Sequence, residues 1–388
     1  MRPKSLILIL LLLTGLLYAG KNYRITGYLA VWKWEEHRWS PDVVEGNRLT
    51  DINLSSVLIK NERVIYMENY DENKLKNLFS GVRKLKEMSP GLRVNLSVGG
   101  WGADGFSDMA YYPENRAYFV KSVVNWMRKY DLDGVDIDWE YPVDGGGGTI
   151  KSRPEDREDF TLLMKDLRAA LNRLSLSTGK KYTLSFAAGA FEEYLQWIEP
   201  GKLAGVVDFV NLMAYDFYGE WTDITGHHAN LKHSPYDPYG RSAERAVNLF
   251  LEAGFPARKI VLGVPFYGRG WKGVVQENNG LYQPYREAIS NEINYSKIRE
   301  FQAKNGMKKF WDSAARAPYM YDGDLWISYE SPRSLKLKVK FVKNRGLGGI
   351  MFWEYFLDPT GELLKTIFQV LCPEKAMKDK FIHLNHPR

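Results

Sequence analysis

The segment Asp133-Gly-Val-Asp136-Ile-Asp138-Trp-Glu140 places four acids within eight residues. In a strand, successive side chains point to opposite faces. Asp136, Asp138 and Glu140 then share one face, and Asp133 does not. Three carboxyls in a row on one face are costly, because like charges that close cannot all ionise inside a protein. A purely structural strand would carry Val, Ile or Leu there. The pattern predicts proton chemistry. Asp136 lies deepest and shares a proton with Asp138, while Glu140 is outermost with a raised pKa, a general acid suited to work near neutral pH. The competing reading, a solvent-facing edge strand of alternating acids, needs an exposed sheet edge. Asp133 is read as structural, holding a loop or a backbone amide.

The elements that must carry this ladder are legible around it. Apolar, β-rich runs fall at 24–31, 53–59, 93–97, 134–138, 182–187, 206–213, 259–264 and 348–353. Helical patterns fall between them at 73–88, 113–130, 156–174, 242–253, 331–344 and 360–370. Leu75, Leu78, Phe79, Val82 and Leu85 illustrate the spacing in the first of these. Strands alternating with helices predict a parallel sheet, and eight is the number that closes a (β/α)8 TIM barrel. Such a barrel has no exposed edge, and its active site forms at the C-terminal mouth, where Glu140 would sit. The gap after the seventh strand is too long for a structureless loop. Residues 268–328 are therefore read as a small α+β insertion between strand seven and helix seven. The expected domains are a signal peptide at 1–20, a barrel at 21–267 and 329–372, the insertion, and a tail at 373–388.

The chain has 388 residues, 45% of them apolar and 26% charged, so it can build a core of that size. The net charge of +6 is scattered rather than clustered. It reads as solvated surface, and no nucleic-acid partner is expected. Arg2 and Lys4 followed by an apolar run at 6–17 and Ala19 read as a secretory signal, with an uncleaved N-terminal anchor as the alternative. Secretion, no membrane contact after cleavage and a monomer are expected. The lone Cys372 permits no internal disulfide. The six histidines lack metal-site spacing, so no metal and no cofactor is expected, and the adjacent His227 and His228 read as loop.

The acid ladder resembles the signature of the family 18 glycoside hydrolases, the chitinase family, at all four acids. Further segments are similar to motifs of the same family. They are Ser97-Val-Gly-Gly-Trp101 on the third strand, Asn211-Leu-Met213-Ala-Tyr215-Asp216 on the sixth, and 263–269 and 348–353 on the last two. The resemblance runs from Tyr28 to about Asp358.

It implies a chitinase acting on chitin or chitooligosaccharides. The other acids stand behind Glu140 on its own strand rather than across the sugar, which suits the substrate-assisted exception among retaining enzymes. By resemblance, Glu140 is the proton donor and Asp138 orients the acetamido N–H and stabilises an oxazolinium. Asp136 holds Asp138 and takes up its proton, with Ser97 donating to the same pair. Tyr215 holds the acetamido carbonyl and Asp216 binds near the same sugar. Met213 shares parity with Tyr215 and should face the pocket. Trp353 is the implied apolar floor. Trp101 and Trp221 are expected on the leaving-group side, with Trp32, Trp34 and Trp39 extending the groove; for these loop tryptophans sugar contact and local packing are both open. Tyr28 either buttresses the deep aspartates or packs as a barrel tyrosine. Arg269 and the insertion are implied to form one groove wall, and Gly102 leaves another wall less closed. Alternatives are a non-catalytic chitin-binding lectin, or a relative acting on peptidoglycan or the chitobiose core of N-glycans. A lectin would be expected to lack the glutamate that is present here.

Overall fold

A computed structural model describes residues 23–33, 40–304 and 306–376. The expected segment 1–20, most of the tail, and Trp34 and Trp39 lie outside the described residues.

The chain opens with β1 (Arg24–Ala30) and β2 (Asp51–Lys60), from which the short β3 (Val64–Tyr66) turns back antiparallel. β4 (Arg93–Gly99), β5 (Gly134–Asp138), β6 (Thr183–Gly189), β7 (Phe209–Met213) and β8 (Ile260–Pro265) follow. Next come β9 (Tyr267–Lys272), β10 (Glu287–Asn294), β11 (Lys308–Asp312), β12 (Ala317–Tyr321) and β13 (Trp326–Ser328), before β14 (Gly349–Trp353). Among the described residues, eight parallel strands run in the order β1-β14-β8-β7-β6-β5-β4-β2, and β1 pairs with β2 to close the circle. The expected barrel is thus present, and β5 sits between β4 and β6 with no free edge.

Helices pack outside it. They are α1 (Glu72–Met88), α2 (Phe106–Tyr111), α3 (Pro113–Tyr130), α4 (Asp156–Thr178), α5 (Pro200–Val206), α6 (Ala243–Glu252), α7 (Tyr295–Ala303), α8 (Pro332–Arg345) and α9 (Glu362–Leu371). Their ends follow local chemistry. Asp71 caps α1 by accepting from the Lys74 N–H, and α4 stops at Gly179, which takes the left-handed conformation that a side chain resists. Two expectations need correction. The strand read as 206–213 begins at Phe209, because Val206 closes α5. α2 and α5 had no reading, since one or two turns are too short to show a helical period.

Tyr28, Phe209, Val261 and Met351 form an apolar cluster, with Met213, Tyr215 and Trp353 packed on it. Asn53, Asn95, Ser97, Asp136, Ser185 and Asn211 are buried polar groups. Strand register brings three of them level: Asp136 stands opposite Ser97 on β4 and Ser185 on β6. The insertion is a five-stranded antiparallel sheet, β10-β9-β13-β12-β11, with α7 against it. Trp271 and Trp326 form its core, fully buried with rings 5.4 Å apart.

Candidate active site

The ladder lies on β5 and the turn beyond it. Asp136 is fully buried and accepts four hydrogen bonds. Tyr28 Oη (2.7 Å) and Ser97 Oγ (3.1 Å) donate to Oδ2, and Ser185 Oγ (2.6 Å) and Asn211 Nδ2 (3.1 Å) donate to Oδ1. Each donor comes from a different strand, so barrel closure assembles this cradle. Burial pushes the Asp136 carboxyl up, and the four donors pull against it.

Asp138 differs. It is buried, and its Oδ1 has no hydrogen-bond partner among the described residues. Burial, then the charges of Glu140 and Asp136, hold its pKa well above the carboxylate range. The expectation is that Asp136 holds Asp138 and takes up its proton, with Ser97 donating to the same pair. Ser97 reaches Asp136, whose lone pairs are already engaged by donors from β1, β4, β6 and β7. Four donors oppose the rise that burial imposes on Asp136, and Asp138 is pushed up further, so with no substrate bound the proton of this pair rests on Asp138.

Gly99 and Gly100 bring β4 close enough for this. A Cβ on Gly99, at φ 113°, would stand 2.0 Å from the Asp138 carbonyl oxygen, to which the Gly100 N–H donates at 2.8 Å. Only glycine tolerates that backbone and that approach.

Glu140 follows the end of β5 and is half-buried, open to the cleft. Burial raises its pKa to about 7; contact with the Tyr141 hydroxyl opposes the rise and the charge of Asp216 adds to it. The low-polarity wall behind it is a cluster of Tyr141, Phe191, Tyr194 and Trp197. Ring centroids from Tyr141 to the other three lie 5.5, 5.5 and 6.1 Å away.

Asp216 lies just beyond β7 with φ 57°. Its carboxylate is gripped by Arg269, with Nε and Nη2 each 2.9 Å from an oxygen. Nδ1 of the fully buried His228 stands 3.6 Å from Oδ1, an electrostatic contact beyond hydrogen-bonding range. Burial alone would raise Asp216, but His228 and Arg269 reverse that and bring it down to about 2. Arg269 also lies 5.3 Å over the Trp221 ring and 5.4 Å over the Tyr267 ring.

Other expected positions sort around this centre. Tyr28 reaches Asp136, so it buttresses the ladder. Met213 and Tyr215 are half-buried at the mouth, and Tyr215 meets Tyr267 edge-on at 6.2 Å. Trp353 lies 5.8 Å from Tyr28 and 6.3 Å from Trp32. Trp101 (66% exposed), Trp221 (54%) and Trp32 (46%) are open to solvent. Trp101 stands near Tyr141, at 6.4 Å, on the Glu140 side. Asp133 accepts from the Val94 N–H at 2.8 Å and pairs with Lys86 and Lys180, away from the cleft. Residues without an assigned role in the sequence reading are Ser185, Asn211, Tyr141, Tyr194, Tyr267 and His228. Strand parity could have found Ser185 and Asn211, which share faces with Ala187 and Met213. His228, read as loop, has no local signal, because only the tertiary fold buries it.

The arrangement can hold one proton at the cleft, on Glu140. Behind it stands a carboxyl with an unpartnered buried oxygen, and beside it a carboxylate kept ionised. The family model for glycosyl hydrolases family 18 matches residues 24–358. Chitinase A1 of Niallia circulans is 42% identical over 70% of this chain, and that match spans 42% of its own length. Chitotriosidase-1 of Mus musculus is 32% identical over 87% of this chain and 74% of its own. A solved family 18 N-acetylglucosaminidase from Paenibacillus barengoltzii superposes with a TM-score of 0.83 and 37% identity, covering 90% of this chain and all of that one. The carboxyl ladder, the barrel that carries it and these likenesses agree: the chain belongs to family 18 of the glycosyl hydrolases.

Proposed function

We propose that the chain is a secreted, monomeric chitinase that hydrolyses β-1,4 bonds between N-acetylglucosamine units with retention, the substrate's own acetamido group supplying the attack. The observation that carries this reading is the Asp138 carboxyl, buried beside Glu140 with an oxygen that no group among the described residues satisfies. Such an atom is costly unless a ligand pairs it.

A retaining enzyme of the two-carboxylate kind needs a free nucleophile across the sugar. Asp136 is engaged by four donors, and Asp216 is held on both oxygens by Arg269. Neither is free to attack carbon. In the proposed sequence the acetamido carbonyl oxygen attacks the anomeric carbon as Glu140 gives its proton to the glycosidic oxygen, releasing the leaving sugar. Asp138, having passed its proton to Asp136, accepts from the acetamido N–H and stabilises the positive oxazolinium. Glu140, now ionised, takes a proton from water, which attacks the anomeric carbon from the side the leaving group vacated. Two inversions give retention. Tyr215 supports the acetamido carbonyl, and Trp353 supplies an apolar floor for the sugar ring. Trp32, Trp101 and Trp221 extend the cleft on either side.

A second reading, an N-acetylglucosaminidase that releases single sugars, is favoured by the full-length likeness to the Paenibacillus barengoltzii enzyme. Product analysis on acetylated chitooligosaccharides of defined length tests both. Internal cutting or release of dimers supports the chitinase. Monomer release from one end alone supports the second reading. Absence of cleavage by the wild type, or near-normal turnover by Glu140→Gln, overturns the mechanism.

A further inference from the structure

His228 takes no part in the chemistry above, yet it touches more of the site's framework than its place in a loop suggests. Its ring is fully buried and neither ring nitrogen has a hydrogen-bond partner among the described residues; Nδ1 faces Asp216 Oδ1 at 3.6 Å, an electrostatic contact. The same ring packs on Tyr267 at 5.3 Å, and Tyr267 meets Tyr215. Its backbone N–H donates to Ser328 Oγ at 3.0 Å, and its carbonyl accepts from the Phe217 N–H at 3.0 Å. One residue therefore joins the rim loop after β7 to the first and last strands of the insertion, directly behind Asp216.

The charged groups around it are Asp216 on the loop after β7, Arg269 on β9 and Lys338 on α8, the last paired with Glu330. Burial, together with the two cations, disfavours the imidazolium. The pKa falls to about 4 even though Asp216 pulls the other way. Between about pH 4 and about pH 7 the ring is neutral while Glu140 holds its proton. That neutrality matters. A neutral imidazole can steady Asp216 with an N–H dipole and leave its negative charge intact, whereas a cation there would cancel it. The intact charge is one cause of the raised proton affinity of Glu140.

We propose that His228 is a positioning residue: as a neutral imidazole with Nδ1–H directed at Asp216, it keeps that carboxylate charged and turned toward Glu140, and so helps set the pH range over which the proton donor stays loaded. The inference rests on Glu140 being the donor.

The test is the pH profile of kcat/KM on a fluorogenic acetylated chitooligosaccharide for wild type, H228N, H228F, D216N and D216N/H228F. The expected wild-type profile has a basic limb where Glu140 loses its proton, at about pH 7. D216N should move that limb to lower pH. H228F should move it the same way by roughly half a pH unit, which is about a threefold loss on the alkaline side relative to each enzyme's optimum. H228N, which keeps an N–H near the Nδ1 position, should leave the limb in place. The double variant should match D216N, because His228 acts through Asp216. A uniform loss across pH in H228F with an unmoved limb would assign His228 to packing alone and overturn the proposal. So would an H228N limb displaced as far as that of H228F, or a double variant displaced beyond D216N. If H228F does not fold, nitrogen NMR of histidine-labelled wild type decides, with H228N giving the assignment. A neutral ring carrying its proton on Nδ1 at about pH 6 is expected, and an imidazolium or an Nε2–H tautomer overturns the inference. A wild type inactive on every acetylated oligosaccharide overturns the functional reading and this one together. An active wild type with an unresponsive His228 overturns this one alone.

Discussion

Glu140 offers a test of the acid–base reading that needs no substrate. Its carboxyl has an ordinary value of 4.5, and in the folded chain it stands at about 7, chiefly through burial. A tenfold change in proton affinity is worth about 1.4 kcal/mol, so the folded state holds the ionised form at a disadvantage of about 3 kcal/mol relative to the unfolded chain. Glu140→Gln removes the charge while keeping the shape. Below about pH 4 the glutamate is neutral in both states, and the substitution should be close to neutral. As pH rises from 4.5 toward 7 the unfolded chain releases this proton and the folded chain keeps it, so the wild type loses stability that the variant retains. Above about pH 8 the variant should be the more stable by about 2–3 kcal/mol. Guanidinium unfolding followed by tryptophan fluorescence at about pH 4 and about pH 8.5 reads the difference. The same variant should bind chitooligosaccharides and not cut them. An identical stability difference at both pH values would show that Glu140 is not held protonated by its surroundings, and the general-acid argument would fall with it.

Other outcomes follow from the same geometry. Asp138→Asn should lower kcat by about 100-fold to 1,000-fold through loss of the charge facing the oxazolinium; a substrate with a free amine at the cleaved sugar should be cut poorly by the wild type, and equal rates on both substrates would refute substrate assistance. Tyr28→Phe removes one of four donors to a buried carboxyl, so it should cost about 1–3 kcal/mol in chemical denaturation and lower kcat. Unchanged stability would mean that the Asp136 cradle does not need that hydroxyl. Gly99→Ala sets a Cβ against the Asp138 carbonyl at a φ reserved for glycine. It should cost roughly 3 kcal/mol or more, or yield no soluble protein, and a thermal scan near wild type would contradict the close approach of β4 and β5.

The barrel and the ladder were readable because both rest on short-range periodicity. Alternation by two residues places Asp136, Asp138 and Glu140 on one face whatever surrounds them, and strands spaced by helical patterns admit few parallel architectures. Where an element was too short to show a period, as in α2 and α5, or where β-branched residues ran into a helix end, as at Val206, local pattern misplaced it. The carboxyls' partners could not be read in the same way. Parity offers Ser185 and Asn211 as inward-facing, but their meeting with Asp136 depends on strand register and closure. The unpartnered oxygen of Asp138 also depends on what its neighbours already hold.

The residue order by itself therefore determined the eight barrel strands and the longer helices between them, the sidedness of the acids and the pocket-facing parity of Met213 and Tyr215, since each depends on backbone geometry repeating over a few residues. Tertiary structure alone decided which carboxyl is saturated and which is left for a ligand, how Arg269 and His228 keep Asp216 ionised, and why Glu140 holds its proton to about pH 7. Those are properties of charge in a low-polarity enclosure. An enclosure assembled from β1, β4, β5, β6, β7 and an insertion more than fifty residues beyond Asp216 has no local signature.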